Sequence, residues 1–433
     1  MSPRPILFTG ARLVDPESGY DGPGSVLIAD GKIAEVRRGE TPIDAPDGAR
    51  PIALAGAILC PGLIDLRVKT GEPGAEPKET LKSASQAAAR GGVTSIVVQP
   101  DTDPVIDDPS VADFIKRRAR DIGLVHVYPA GAATKGLRGE AMAEIGLLRE
   151  AGCVYVTNAD RPIVSSRVMR RLLAYAGGLD VLVAHRPSDP WLCDGADAHE
   201  SEFASRLGLP AAPSAAETII LERDLILAQL TGARLMVDQL SAAASLDRLS
   251  RAKADGVAAI ATASINHLVF NELDIGDYRT FCKLTPPLRG EDDRAALVKA
   301  VAAGLIDIVV SAHAPAPAEE KRLPFDEAAP GSVGLETLLP ALLGLRHETG
   351  ASLPTLLRTV TLAPALALGL DAGRLAPGAP ADLVICDLES PMVIDAAALA
   401  SKSKNSAFDG RRLQGDIRFT LADGKIIHER GEA

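Results

Sequence analysis

The residues best placed to do chemistry gather around one stretch, Cys60-Pro61-Gly62-Leu63-Ile64-Asp65-Leu66-Arg67-Val68-Lys69-Thr70-Gly71-Glu72-Pro73-Gly74. It reads as a buried strand over Leu63–Val68 that runs into a Gly/Pro-rich loop. Parallel α/β folds put their reactive groups in such loops, at the carboxyl ends of strands. Arg67 and Lys69 stand two residues apart, so a strand turns both to one face. Neither can ligate a metal while charged. Asp65, Asp101 or Asp160 is expected to balance them through internal ion pairs. For acid–base work the chain offers His185, His313 and Asp160, each at the end of an apolar run.

The elements that must position these groups follow from periodicity. Apolar, β-branched runs occur at 63–69, 94–100, 125–131, 153–159, 181–187, 234–240, 257–263 and 307–313. Segments such as 79–90, 109–121, 140–151 and 165–176 carry Ala, Leu and Arg at helical spacing between them. Eight alternations of strand and helix predict an α/β fold, a (β/α)8 TIM-like barrel. Connections 188–233 and 264–306 should carry extra helices over its mouth. Short strands separated by turns, with hairpin signals at Asp30-Gly31 and Asp423-Gly424, mark both ends of the chain. Residues 1–59 plus 375–433 are therefore expected to pair into a small β-sandwich domain beside a barrel of residues 60–374.

Composition narrows the function classes. Net charge is −11 with no basic run, which excludes nucleic acid and anionic membrane surfaces as expected partners. No apolar run approaches the roughly 20 residues of a membrane span. Cysteines 60, 153, 193, 282 and 386 are dispersed, with no CxxC pair, and read as reduced thiols of a cytoplasmic protein. Cys60 and Cys153 read as core thiols. His267 reads as structural, and His126, His199, His347 and His428 as surface or packing residues. Asp107-Asp108 reads as a turn and helix N-cap. Arg167–Arg171 reads as a solvated helix face.

Pro61-Gly62-Leu63-Ile64-Asp65 followed by Gly71-Glu72-Pro73-Gly74 resembles the dihydroorotases of the amidohydrolase superfamily. That resemblance implies a barrel with a zinc site, a metal-bound hydroxide attacking a cyclic amide, and a terminal β-sandwich. It also implies ligands that this chain lacks. The family's Asp-x-His-x-His strand has Arg67 and Lys69 at its histidines, and its Phe-Ser-Asp-Asp-Gly run becomes Thr157-Asn158-Ala159-Asp160 after Val156. The histidine before Cys-Glu-Asp or Pro-Glu-Glu corresponds to Arg186 when anchored on Pro187, or to His185 with a one-residue shift. His-Val-Ser becomes Gln239-Leu240-Ser241, and Asp-His-Ala-Pro-His becomes Ala312-His313-Ala314-Pro315-Ala316. Substrate positions differ too: the arginine of Arg-Glu-Pro-Gly is Gly71, the asparagine of Met-Pro-Asn-Thr is Asp101, and Asn-Pro-Pro-Leu-Arg begins at Thr285.

The expectation drawn from these differences is a catalytically inactive dihydroorotase-like protein of pyrimidine biosynthesis. On that reading no catalytic or substrate-binding residue survives, and no metal or other cofactor is held. The resemblance is closest to the non-catalytic chains that accompany aspartate carbamoyltransferase, which implies that enzyme's catalytic chain as partner and an assembly role; a homo-oligomer is compatible with it. The alternative is an active cyclic-amide hydrolase with an atypical or reduced metal site, zinc being expected only there. A small-molecule sensor has the cationic pair alone in its favour.

Overall fold

The computed structural model describes residues 4–431. All eight apolar runs contain parallel strand. Leu63–Val68, Val93–Val98 and His126–Pro129 form one sheet, and Gly131–Ala132, Val156–Thr157, Val183–His185, Leu235–Val237, Ala259–Ser264 and Ile308–Val310 follow one another in a second. The two are joined in backbone. Ala130 donates its amide to Val98 at 2.9 Å, and Lys69 donates to the carbonyl of His313 at 2.9 Å beside a parallel bridge between Val68 and His313.

Successive residues of these strands serve two apolar clusters in turn. Ala184, Met236, Ile308 and Val310 pack with Ile64, Leu66 and Val97. Val183, Leu235, Val237 and Val309 pack against helix residues such as Leu172, Leu173 and Leu221. This is the period of two expected of a sheet buried on both faces, and it explains why the strands read as unbroken apolar runs.

The helices between them start where the side chains cap. Thr80 and Ser83 form a reciprocal capping box at Leu81–Arg90. Asp108 caps Pro109–Ile122, whose proline occupies the first turn and whose end is closed by Gly123 in the left-handed region. The long connections do carry added helices, Glu202–Leu207 and Ala215–Thr231 in one, Ile265–Val269 and Glu291–Ala302 in the other.

The chain ends meet in one eight-stranded sheet, ordered Lys425–Glu429, Arg412–Ala422, Leu383–Val393, Ile58–Pro61, Ile6–Asp15, Tyr20–Ala29 and Lys32–Arg38, with Arg50–Ala53 also pairing Ile6–Asp15. Phe8 and Phe419 lie three strands apart in that order, yet their ring centroids are 6.2 Å apart. Flat strands at their usual spacing of about 4.8 Å would hold them about 14 Å apart. The sheet therefore folds back over its own core of Phe8, Leu13, Val26, Leu59, Leu383 and Leu421. Among the described residues no helix is long and apolar enough to cross a membrane.

Candidate active site at the carboxyl ends of the strands

The carboxyl ends of the parallel strands surround a cavity of about 80 Å3, lined among others by Arg67, Lys69, Asp160, Gln239, His267, Thr285, Ala312 and His313. Its centre is an ion-pair network. Arg67, with a side chain only 5% exposed, pairs through Nη1 with Asp238 and through Nη2 with Asp160 at 2.6 Å. Lys69 bonds Asp160 and lies 2.7 Å from Asp101. Arg186 donates Nη2 to the Asp160 carbonyl at 2.5 Å and places Nη1 3.4 Å from its carboxylate. Gln239, with its amide oxygen toward Arg67, accepts from Nη2 at 2.9 Å.

Three cations thus share Asp160. Burial alone would raise its pKa, but Lys69, Arg186 and Arg67 more than reverse this and hold it well below the usual carboxylate range. Burial opposes the charge on Arg67 and Lys69, yet their acidic partners outweigh it and raise both pKa values. For Arg186 burial wins, and its pKa is lowered. Arg186 depends most on Asp160, because its Nε and Nη1 have no hydrogen-bond partner among the described residues.

The expected charge balance is therefore present, with different members. Asp101 and Asp160 take part as expected. Asp65 does not meet the cations' side chains: its buried carboxylate accepts from the Arg67 and Ser311 amides and from the Ser311 hydroxyl. Burial pushes its pKa up to about 6. Asp238 was missed. It sits one residue before Gln239, and the signal was a carboxylate at the end of an apolar strand.

The ambiguity between His185 and Arg186 resolves by direction. Arg186 faces the network, while His185 contacts Asp224 through Nδ1 at 2.6 Å and accepts the Ile163 amide through Nε2 at 2.9 Å, leaving no ring nitrogen for the mouth. His313 does line the cavity, but Nδ1 accepts the Gly334 amide at 3.2 Å and Nε2 lies 3.4 Å from the buried Glu79. Asn158 binds its own loop, accepting from Thr134 at 2.6 Å and donating to the Leu137 and Arg161 carbonyls. His267 meets the Pro286 carbonyl at 3.1 Å through Nε2.

Gly71 has a conformational reason to lack a side chain. Its φ is +68°, and a Cβ there would sit 2.5 Å from the Ala75 carbonyl oxygen. Thr285 lines the cavity, and Ala316 is buried with its amide on Asn405 at 3.0 Å.

Three non-glycine residues at the mouth have left-handed backbones: Ala159 (φ 51°), Gln239 (φ 55°) and Ala312 (φ 51°). All three follow the ends of parallel strands. Such conformations cost about 1–2 kcal/mol each for residues with a Cβ and cluster at functional sites.

A family model described as Dihydro-orotase-like matches residues 56–245, and one described as Amidohydrolase family matches residues 340–428. The dihydroorotase of Anaeromyxobacter sp. (strain K) is 39% identical over 430 residues, covering 99% of both chains. The chain belongs to the dihydroorotase family. The dihydroorotase of Geotalea daltonii is likewise 39% identical, over 98% of this chain and 99% of its own. Among solved structures, the L-hydantoinase (dihydropyrimidinase) of Arthrobacter aurescens superposes with a TM-score of 0.88 at 23% identity, covering 99% of this chain and 97% of its own. The dihydropyrimidinase of Brevibacillus agri gives 0.81 at 19%, covering 98% and 95%. These two share the α/β fold of this chain.

Family membership corrects two expectations. The inactive assembly protein is not supported, because full-length relatives at this identity are dihydroorotases and favour an active hydrolase of that class. The expectation of no cofactor fails on the same relation, and because His126, Asp382 and Asp423 form a group able to hold a metal.

The mouth itself does not fit a dication. Its inward groups at the family's ligand positions are the donors of Arg67, Lys69 and Arg186, and the orphaned buried atoms of Arg186 are guanidinium nitrogens, which repel a metal.

Proposed function

We propose that the chain is a dihydroorotase-type hydrolase that opens a cyclic amide bearing a carboxylate, or closes it in reverse. Its mouth holds Arg67, Lys69 and Arg186, paired with carboxylates, where the resemblance implies zinc ligands. The observation that carries this reading is the 39% identity over nearly the whole of both chains to a dihydroorotase. The three left-handed residues at strand ends support it, because strain retained at a mouth fits a shape kept for a ligand.

In this reading Lys69 receives the substrate's anionic group. Its side chain is 26% exposed against 5% for Arg67 and 7% for Arg186. The cavity of about 80 Å3 is smaller than the roughly 300 Å3 of ordinary ligand pockets, so binding must part Lys69 from Asp160. Arg186, whose Nε and Nη1 make no hydrogen bond among the described residues, then supplies donors for charge developing on the amide oxygen. Asp160, once released by Lys69, is the carboxylate placed to take a proton from water as its oxygen attacks the amide carbon, and to return that proton to the ring nitrogen as the C–N bond breaks. A base held so acidic is a weak one, so slow turnover is expected.

The architecture proposed is a closed barrel of residues 60–374 beside a sandwich of residues 1–59 plus 375–433, supported by the Val68–His313 bridge and the folded terminal sheet. Five free cysteines support a cytoplasmic location. Association with an aspartate carbamoyltransferase catalytic chain stays a proposal from the sequence resemblance; cosedimentation of the two purified chains tests it, and separate migration defeats it.

The decisive assay follows dihydroorotate hydrolysis and carbamoyl-aspartate cyclisation by the tag-free chain, with and without added zinc. Turnover reduced at least tenfold in Lys69→Ala is the expected result. Absence of turnover in both directions under every metal condition defeats the proposal.

A further inference from the structure

At the amino end of the parallel strands, opposite the mouth, His126 begins strand His126–Pro129, Asp382 directly precedes Leu383–Val393, and Asp423 sits in the turn before Lys425–Glu429. We propose that His126, Asp382 and Asp423 bind one divalent first-row transition metal, zinc-like in its preference, which ties the terminal sheet to the parallel strands. His126 Nε2 lies 3.2 Å from Asp382 Oδ2 and 3.8 Å from Asp423 Oδ1, and one ligand atom from each residue falls within 4.8 Å of the other two. A tetrahedral site with bonds of about 2.0–2.1 Å has ligand-to-ligand edges of about 3.3–3.4 Å. The two shorter separations bracket that edge, so small side-chain adjustments suffice to close the three donors on an ion.

The donor chemistry agrees. One imidazole and two carboxylates suit zinc, cobalt or manganese, and their two negative charges neutralise a dication. The backbone presets the arrangement: the Asp423 amide donates to Asp382 Oδ1 at 2.8 Å, and the Gly424 amide donates to the Ala381 carbonyl at 3.1 Å. His126 and Asp423 also line a cavity of about 520 Å3, which leaves room for water or a small anion to complete the coordination. Lys116, Arg120 and Lys425 on the same cavity wall favour an anion in that place.

The alternative is a plain ion pair between a protonated His126 and Asp382. Metal binding separates the two. The tag-free full-length chain, stripped with chelator and dialysed, is titrated with cobalt(II) and followed by visible absorption and by metal content. One equivalent per chain with a tetrahedral spectrum, lost in His126→Ala and weakened at least tenfold in Asp423→Asn, is the expected result. Asp423→Asn keeps the fold testable, because the residue is exposed in a left-handed turn that asparagine tolerates, and circular dichroism checks each variant. No binding by the wild-type chain, or unchanged binding in both variants, overturns the assignment.

Discussion

Replacing Asp160 by Asn tests whether the mouth is held together by charge. Three cations lose a shared carboxylate, but unequally. Arg67 keeps Asp238 and Lys69 keeps Asp101, whereas Arg186 keeps only the backbone carbonyl of residue 160. Breaking a fully buried pair costs about 3–5 kcal/mol and an exposed one about 0–1 kcal/mol. The Asp160 side chain is 34% exposed, so solvent screens part of the loss. A cost of about 2–3 kcal/mol follows. With an unfolding entropy of about 2.1 cal/mol/K per residue, a chain of 433 residues melts about 2–3 °C lower for that cost. The pH dependence carries the sharper test. The folded-state pKa of Asp160 is depressed, so its stabilisation is complete above the unfolded value of about 3.9 and is lost as pH falls below it. Calorimetry from pH 8 to pH 3.5 should show a constant gap between Asp160→Asn and wild type down to about pH 5, closing toward the acid end. Equal melting temperatures at pH 7, or a gap that widens on acidification, would refute the network as a source of stability.

Asp65→Asn should behave oppositely. Burial raises the Asp65 pKa to about 6, so wild-type stability falls as pH rises from about 4 through 6, and denaturation midpoints of the variant should lack that slope. A slope unchanged in the variant would assign it to another group. Gly91→Ala should lower the melting temperature or the soluble yield, because its Cβ would meet the Leu335 carbonyl oxygen at 2.0 Å, whereas Gly178→Ala, with open space around it, should melt within about a degree of wild type. Lys69→Ala should raise KM for a carboxylated cyclic amide more than it lowers kcat, read from initial rates; an unaltered KM would remove Lys69 from substrate binding.

The fold was legible because its signals are local. Unbroken apolar runs such as Val93–Val98 show a strand buried on both faces, and Asp423-Gly424 fixes a hairpin without reference to the rest of the chain. The site was legible only where one residue decides the matter. Arg67 and Lys69 stand out by charge on an apolar strand, and Asp160 by position. Which carboxylates answer them depends on pairing across the mouth, and that placed Asp238 in the network and left Asp65 with Ser311. His126 looked like an isolated surface histidine because Asp382 lies 256 residues away in sequence.

The functional expectation went astray at a different step, from missing ligands to missing activity. Losing the family's metal donors changes how a mouth could stabilise charge; it does not remove charge from the mouth. Arg67, Lys69 and Arg186 remain as charged donors around a partly exposed carboxylate, in a network balanced by Asp101, Asp160 and Asp238. The left-handed backbones of Ala159, Gln239 and Ala312 bear on the same point. A scaffold under no demand at its mouth gains by relaxing three strained strand ends, each costing about 1–2 kcal/mol. Here all three remain at the positions where the family resemblance places reactive groups, which fits a mouth kept in shape for a ligand.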